Sequence, residues 1–341
     1  MVNPKKIFCF GELLLRLSPA LQGEWLRQAS LPLYLGGSEL NVATALARWH
    51  IPVGYCTALP RNYLSEEICQ AIMEKNIDVS PVQFLGSRVG IYFLPQGLDL
   101  KNAEVIYDRA DSSFANLRTG MIDWEKMLNG FSWFHFSAIS PAINENLAAV
   151  CLEALEVASK MNMTISIDLN HRAKLWQYGK NPIDIMASLV SYCDVVMGNI
   201  WSASSLLGMP VPEDIHRAAK KSGYLLQAKE TSIAIQEAFP KCTIVAQTFR
   251  FDHPGEGIHY YATCWKEEKS YHSREYTCVH VEDKIGTGDC FMAGLIYGLS
   301  LDLGAQDTIE LATAAAVGKF QERGDATSQD IASVRARMAG G

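Results

Sequence analysis

From residue 132 to residue 198 the chain alternates short β-prone runs with helix-length stretches. Residues 132–137, 164–169 and 194–198 read as strands, and 144–160 and 182–191 as helices. The same rhythm is present earlier, in a strand at 53–59 followed by a helix around 66–75. Strands that take turns with helices cannot all fold back on one another as hairpins. They stack as a sheet with helices on its faces, a layered α/β domain in which ligands gather at the carboxyl ends of the strands.

Two segments break the rhythm. Residues 6–15 form a β-prone first strand, but the next stretch, through Tyr34, mixes apolar and polar positions as exposed antiparallel strands do. Only then does a helix follow, over 36–50, entered through Gly36-Gly37-Ser38 and carrying Leu40, Val42, Ala43, Ala45, Leu46 and Trp49 at helical spacing. Residues 88–94 and 104–109, separated by a stretch that opens with Pro95-Gln96-Gly97, read as a hairpin. Strands from about 12–35 and 88–110 would together make a small sheet projecting from the main body.

Further on, 212–240 is helical and charged, 243–249 is a strand before the Gly255-Glu256-Gly257 turn, and 260–265 pairs with 271–281 as antiparallel strands. Helices at 290–300, 308–320 and 328–338 finish the chain, the second opened by Asp307 and Glu310 in a capping-box pattern. With no linker or internal repeat, residues 1–341 are expected to form a single domain.

Composition removes several classes of function. A net charge of −7 without a block of like charges argues against a nucleic-acid surface. The amino-terminal apolar run is too short, before Glu12, for a secretory signal or membrane span, so a cytoplasmic location and no membrane partner are expected. The nine cysteines lack any C-x-x-C spacing and several lie in apolar runs, as Cys9 and Cys242 do; they read as small buried hydrophobes in a reducing compartment. The eight histidines show no metal-ligand spacing, and no dedicated metal site is expected.

The chemistry concentrates at Gly286-Thr287-Gly288-Asp289, which joins a β-rich run ending at Asp283 to an apolar helix starting near Cys290. Free N–H groups and the helix dipole make such a junction an anion hole, and glycines allow a charged ligand close approach. A dinucleotide fingerprint would need a third glycine where Phe291 stands, and a Walker loop would end in Gly-Lys-Ser/Thr. Glycines also start helices with no ligand in view. Asp289 is what distinguishes this turn: a carboxylate beside amides that hold a phosphoryl group suits a base taking a proton from a substrate hydroxyl.

Asp283, Gly286, Gly288 and Asp289, together with Gly36-Gly37 and Asn41, resemble the two signatures of the PfkB (ribokinase-like) sugar kinases, and the resemblance spans nearly the whole chain. It implies a three-layer α/β/α domain with a mostly parallel central sheet, a β lid, ATP and Mg2+ as cofactors, and a possible homodimer through the lid. It also implies that Glu12, Gly36, Gly37 and Asn41 bind the sugar, that Gly286, Thr287 and Gly288 receive the phosphates, and that Asp289 is the base. The strings Tyr107-Asp108-Arg109 with Ser112-Ser113, Asp168 to Arg172 with Leu175-Trp176, and Gly324-Asp325 resemble the 2-keto-3-deoxygluconate kinases within the family. That likeness assigns Tyr92, Tyr107 and Arg109 to an acid sugar, places Arg172 between sugar and phosphates, and brings Asp325 to the sugar. An arginine fork facing a carboxylate is the selective element a sugar acid requires. On the nucleotide side it implies Asn170, Arg172, Asn199, Thr248 and Arg250.

Plainer roles stand beside these. Arg109 is equally a solvated charge on an edge strand, Trp176 and Trp201 are packing residues, His135 is a core histidine, and His171, His253 and His280 have no partner the sequence identifies. The chain also departs from the family pattern. Lys284 and Thr287 replace threonine and alanine, Ser202 stands where N-x-x-E would place a glutamate, and Gln247-Thr248-Phe249-Arg250 replaces the usual end of the nucleotide-side strand. A kinase for a neutral sugar such as fructose or ribose, or an inactive sugar-binding protein, are the rival expectations.

Overall fold

The computed structural model describes residues 5–19, 30–95, 105–215, 220–253, 255 and 257–340. In chain order its strands are β1 (Ile7–Phe10), β2 (Leu14–Leu17), β3 (Leu33–Gly36), β4 (Val53–Cys56), β5 (Ala58–Leu59), β6 (Ile77–Asp78), β7 (Gln83–Phe84), β8 (Gly90–Phe93) and β9 (Ile106–Asp108). They continue with β10 (Trp133–Ser137), β11 (Thr164–Asp168), β12 (Val195–Gly198), β13 (Ile244–His253), β14 (Gly257–Lys266), β15 (Lys269–His272) and β16 (Tyr276–Cys278). The large sheet runs in the order β15-β14-β13-β12-β11-β10-β1-β4-β6, with β16 also on β14. Every pairing from β6 to β13 is parallel, and β14 turns the edge antiparallel.

Alternation along β1 shows why helices cover both faces. Ile7 and Cys9 enter one core with helices Ser38–Arg48, Thr287–Ser300 and Ala305–Lys319, while Phe8 and Phe10 enter a second with helices Glu145–Lys160 and Pro182–Val190. Side chains alternate across a strand, so strands apolar at every position must be buried on two faces. All four residues of β1 are fully buried. The chain leaves β1 toward β4 on one side and returns to β10 on the other, which puts the switch of strand order at the carboxyl end of β1.

The projecting sheet is present, in the order β3-β2-β8-β9, with β2 and β8 parallel and both outer pairs antiparallel. Residues 20–29 and 96–104, which fall within the expected strand boundaries and include Gln96, Gly97 and Glu104, lie outside the described residues, as do Glu256 of the turn and the side chain of His253.

Several boundaries differ from expectation. The helix expected from Thr308 begins at Ala305, so Asp307 and Glu310 form no capping box; Glu310 instead accepts the Arg274 backbone N–H at 3.1 Å. That bond helps to split the single strand expected over 271–281 into β15 and β16, because Arg274 is turned out of the ladder between them. The helix expected to begin near Cys290 starts at Thr287, which places Asp289 in its first turn. The helix expected over 212–240 is described as Lys221–Ala238, and 216–219 lie outside the described residues. All nine cysteines are buried and unpaired.

Candidate active site

At the switch point the lid overhangs a cavity of about 660 Å3. It gathers Glu12 from the end of β1, Gly37 and Asn41 from the first helix, and Tyr92, Tyr107 and Arg109 from the lid. Asn170, Arg172 and Asn199 enter from the ends of β11 and β12, Thr248 and Arg250 from β13, and Gly286, Thr287, Gly288, Asp289 and Asp325 from the far side. Of the residues expected in the site only Gly36 is not in its wall. A Cβ on Gly36 would stand 2.3 Å from Asp325 Oδ2, so its contribution is to let that carboxylate in.

Asp289 is held from two directions. Ser38 Oγ donates to its Oδ1 at 2.6 Å and Asn41 Nδ2 to its Oδ2 at 2.7 Å, while Asn170 Nδ2 donates to Ser38 Oγ at 3.3 Å. Burial pushes the Asp289 pKa up, and the two hydrogen bonds with the charges of Arg172 and Lys319 oppose the rise. Gly286, with φ 73°, caps the helix, and the first closing bond runs from Cys290 N–H to Gly286 O at 2.8 Å. The N–H groups of Thr287, Gly288 and Asp289 therefore belong to the helix's unsatisfied first turn. A Cβ on Gly286 would fall 1.9 Å from Asp325 O, whereas one on Gly288 would meet nothing within 4 Å. Gly286 is required by packing; Gly288 leaves open space over the amides.

The lid is tied down by buried charge. Arg16, on β2, reaches Asp283 Oδ2 at 3.2 Å and Asp325 Oδ1 at 2.7 Å, and its guanidinium lies 4.4 Å over the Tyr34 ring. Tyr92 donates to Asp325 Oδ2. Burial raises the Asp325 pKa to about 6, against the pull of Arg16 and of the Tyr92 hydrogen bond. Glu39, fully buried behind Asp289, accepts from Ser137 N–H at 2.9 Å and Ser137 Oγ at 2.6 Å; burial is the largest cause of its rise to about 7. Arg16 and Glu39 look in the sequence like ordinary solvated charges. Arg16 is buried where the lid meets Asp283 and Asp325, and Glu39 where the first helix packs on Ser137 at the end of β10.

Arg109 is not a solvated edge charge. It is 6% exposed and forks onto Glu12 through its Nε, at 2.8 Å, and its Nη2, with Ser112 Oγ donating to the other Glu12 oxygen at 2.6 Å. Arg172 donates to the His171 carbonyl at 3.1 Å and forms no ion pair with a carboxylate among the described residues. Ser202 and Asn199 close a reciprocal capping box on the helix Ile200–Leu207, each bond 2.9 Å. Lys284 pairs with Asp252 at 2.7 Å, and Arg250 with the other oxygen of Asp252 at 3.5 Å. His135 donates or accepts at Ser166 Oγ in the core, and burial lowers it to about 3, as a core histidine requires. Trp201 packs against Tyr224 and Phe249, and also lines the cavity.

The described residues contain no group of three metal-ligating side chains. Ser202 and Asn199 are bonded to each other and Glu12 to Arg109, while Asp168, Asp289 and Asp325 are the acids in the cavity wall besides Glu12 and Glu39.

The chain belongs to the pfkB family of carbohydrate kinases, whose sequence model matches residues 4–332. Over 98% of its length it superposes on the whole of a 2-dehydro-3-deoxygluconokinase from Thermotoga maritima, with a TM-score of 0.89 and 29% identity. A 2-dehydro-3-deoxygluconokinase of Bacillus subtilis is 23% identical over 85% of this chain and 82% of its own. A 2-dehydro-3-deoxygalactonokinase of Haloferax volcanii is 30% identical over 56% of this chain, a match that spans 60% of the relative. The fold is thus the ribokinase-like one, a mostly parallel sheet between helices with a smaller separate sheet.

Proposed function

We propose that the protein transfers the γ-phosphoryl group of ATP to a hydroxyl of 2-keto-3-deoxygluconate. One observation carries the reading: a buried carboxylate, Asp289, is aimed by Ser38 and Asn41 within the same helix turn whose amides form the anion hole. In the reaction Asp289 takes the hydroxyl proton, the sugar oxygen forms a bond to the γ-phosphorus, and the bond from that phosphorus to the bridging oxygen breaks to release ADP. Positioning and charge neutralisation dominate such a step. Magnesium arriving with the nucleotide would neutralise phosphate charge, and the residues here would leave its coordination to phosphate and water.

The acid function of the sugar has two cations to meet. Arg172 forms no ion pair with a carboxylate among the described residues, and Arg109 spends two of its N–H groups on Glu12 and retains donors for a ligand. The relatives named for 2-dehydro-3-deoxy sugar acids support this substrate class. The Arg109–Glu12 pair also favours a second reading, since a neutralised fork suits the hydroxyls of a ketose. ADP release measured across acidic and neutral sugars separates them: turnover fastest with fructose or ribose overturns the sugar-acid reading. Tight sugar binding without turnover would instead mark an inactive binder.

We place this activity in the cytoplasm, as nine unpaired buried cysteines suit a reducing compartment. No described helix is long and apolar enough to cross a membrane. A homodimer through the lid would cover Leu33 and Ile106, each 53% exposed on its outer strands β3 and β9.

A further inference from the structure

Lys319 ends the helix Ala305–Lys319 with a side chain that is fully buried. Its Nζ donates to the carbonyl oxygen of Glu322 at 3.0 Å, and among the described residues no carboxylate lies within ion-pair distance of it. A buried ammonium without a paired anion carries a large desolvation cost, so an interior lysine of this kind calls for a reason. Its location supplies one. Its Cε lies 3.4 Å from where a Cβ on Gly286 would stand, directly behind the turn that opens the anion hole.

We infer that Lys319 is a positioning residue for phosphoryl transfer, a fixed positive charge under the Gly286 turn that adds to the pull of the amides on phosphate and keeps Asp289 ionised. The inference rests on the kinase reading above. Helix N-terminal amides hold a partial charge of about half a unit, and a full charge behind them in a water-poor interior strengthens the same field. The groups around Lys319 fit this role. Asp283, Glu322 and Asp325 hold its charge against the burial that lowers its pKa, and the Cys290 thiol acts in the same sense. Around Asp289 the positive charges are Lys319 and Arg172, set against Glu39 as the facing acid and Ser38 and Asn41 as neutral donors. Lys319 is the member of this set that never reaches the cavity, so it acts through Gly286 and Asp289 and not by touching a ligand.

The test compares wild type with Lys319→Met, which keeps the length and removes the charge. Two quantities are read: the dissociation constant of a non-hydrolysable ATP analogue, and the acidic limb of the pH profile of kcat with 2-keto-3-deoxygluconate. Lys319→Met is expected to weaken the analogue roughly tenfold and to move the acidic limb up by about one pH unit, the equivalent change in the Asp289 equilibrium. Unchanged affinity and an unmoved limb overturn the inference. If the methionine variant does not fold, wild type is titrated upward in pH instead: analogue affinity should fall below pH 10.5, the ordinary lysine value, before the protein unfolds. Affinity that stays level until unfolding overturns it equally. A wild-type protein that binds the analogue yet phosphorylates no sugar refutes the kinase reading, and the affinity measurements still judge Lys319.

Discussion

The Tyr92 hydroxyl donates to Asp325 Oδ2 across 2.7 Å, linking lid strand β8 to the loop whose backbone carbonyl, at Asp325, rests on Gly286. Lid, Asp325 and the Gly286 turn are therefore in consecutive contact. Tyr92→Phe should cost about 1–2 kcal/mol of stability, the loss of a charge-assisted hydrogen bond to a buried acid. Denaturant melts compared with wild type measure it, and no loss would mean the contact is not maintained in solution.

Asp289→Asn should retain the fold and sugar binding while kcat falls by roughly 10² to 10⁴-fold, the range for removing a general base. Calorimetric sugar binding with coupled ADP release checks both halves. Residual turnover within tenfold of wild type would assign the proton to another group.

Gly286 and Gly288 should respond oppositely to alanine. Gly286→Ala forces a Cβ against Asp325 O at φ 73° and is expected to destabilise the protein severely. Gly288→Ala should melt as wild type does, since its Cβ meets nothing, while the KM for ATP rises by about tenfold or more because the methyl occupies the approach to the amides. An unaltered KM would move the phosphates elsewhere.

Glu39 sets a pH dependence of stability. Its pKa is about 7 in the folded protein against an ordinary 4.5, so between those values the folded state holds a proton that the unfolded chain has released. Stability contributed here falls as pH rises through that window. Glu39→Gln stays neutral and keeps an acceptor for Ser137. It should therefore gain on wild type from pH 4.5 to 8, by up to about 3 kcal/mol, read from unfolding curves across pH. A constant difference would show Glu39 to titrate normally.

Truncating Arg109 to Met should destabilise by about 3–5 kcal/mol, because it leaves Glu12 buried and unpaired. The double variant with Glu12→Gln should recover much of that loss without recovering activity on the sugar acid. A single variant as stable as wild type would show that the fork is made only in passing.

The sheet was legible because its strands are apolar at successive positions, as Ile7 to Phe10 are, and because helix-length stretches separate them. Asp289 was legible from its neighbours, since two glycines and a helix start are local features. What escaped depends on distance along the chain. Arg16 meets Asp283 and Asp325 across more than 260 residues, and nothing near Arg16 distinguishes it from a surface charge. Lys319 closes a helix as many lysines do, in keeping with the dipole, and its burial is visible only when the Gly286 turn is laid against it. Asp307 and Glu310 misled because Gly304 begins the helix sooner, which leaves Glu310 to serve Arg274.

Gly37 alone stands between the last residue of β3 and Ser38, the first of the helix that aims Asp289, and its φ of 138° suits few other residues. The lid edge and the two donors that hold Asp289, Ser38 and Asn41, are therefore consecutive along the chain. Lid position and base alignment thus share a single residue of main chain.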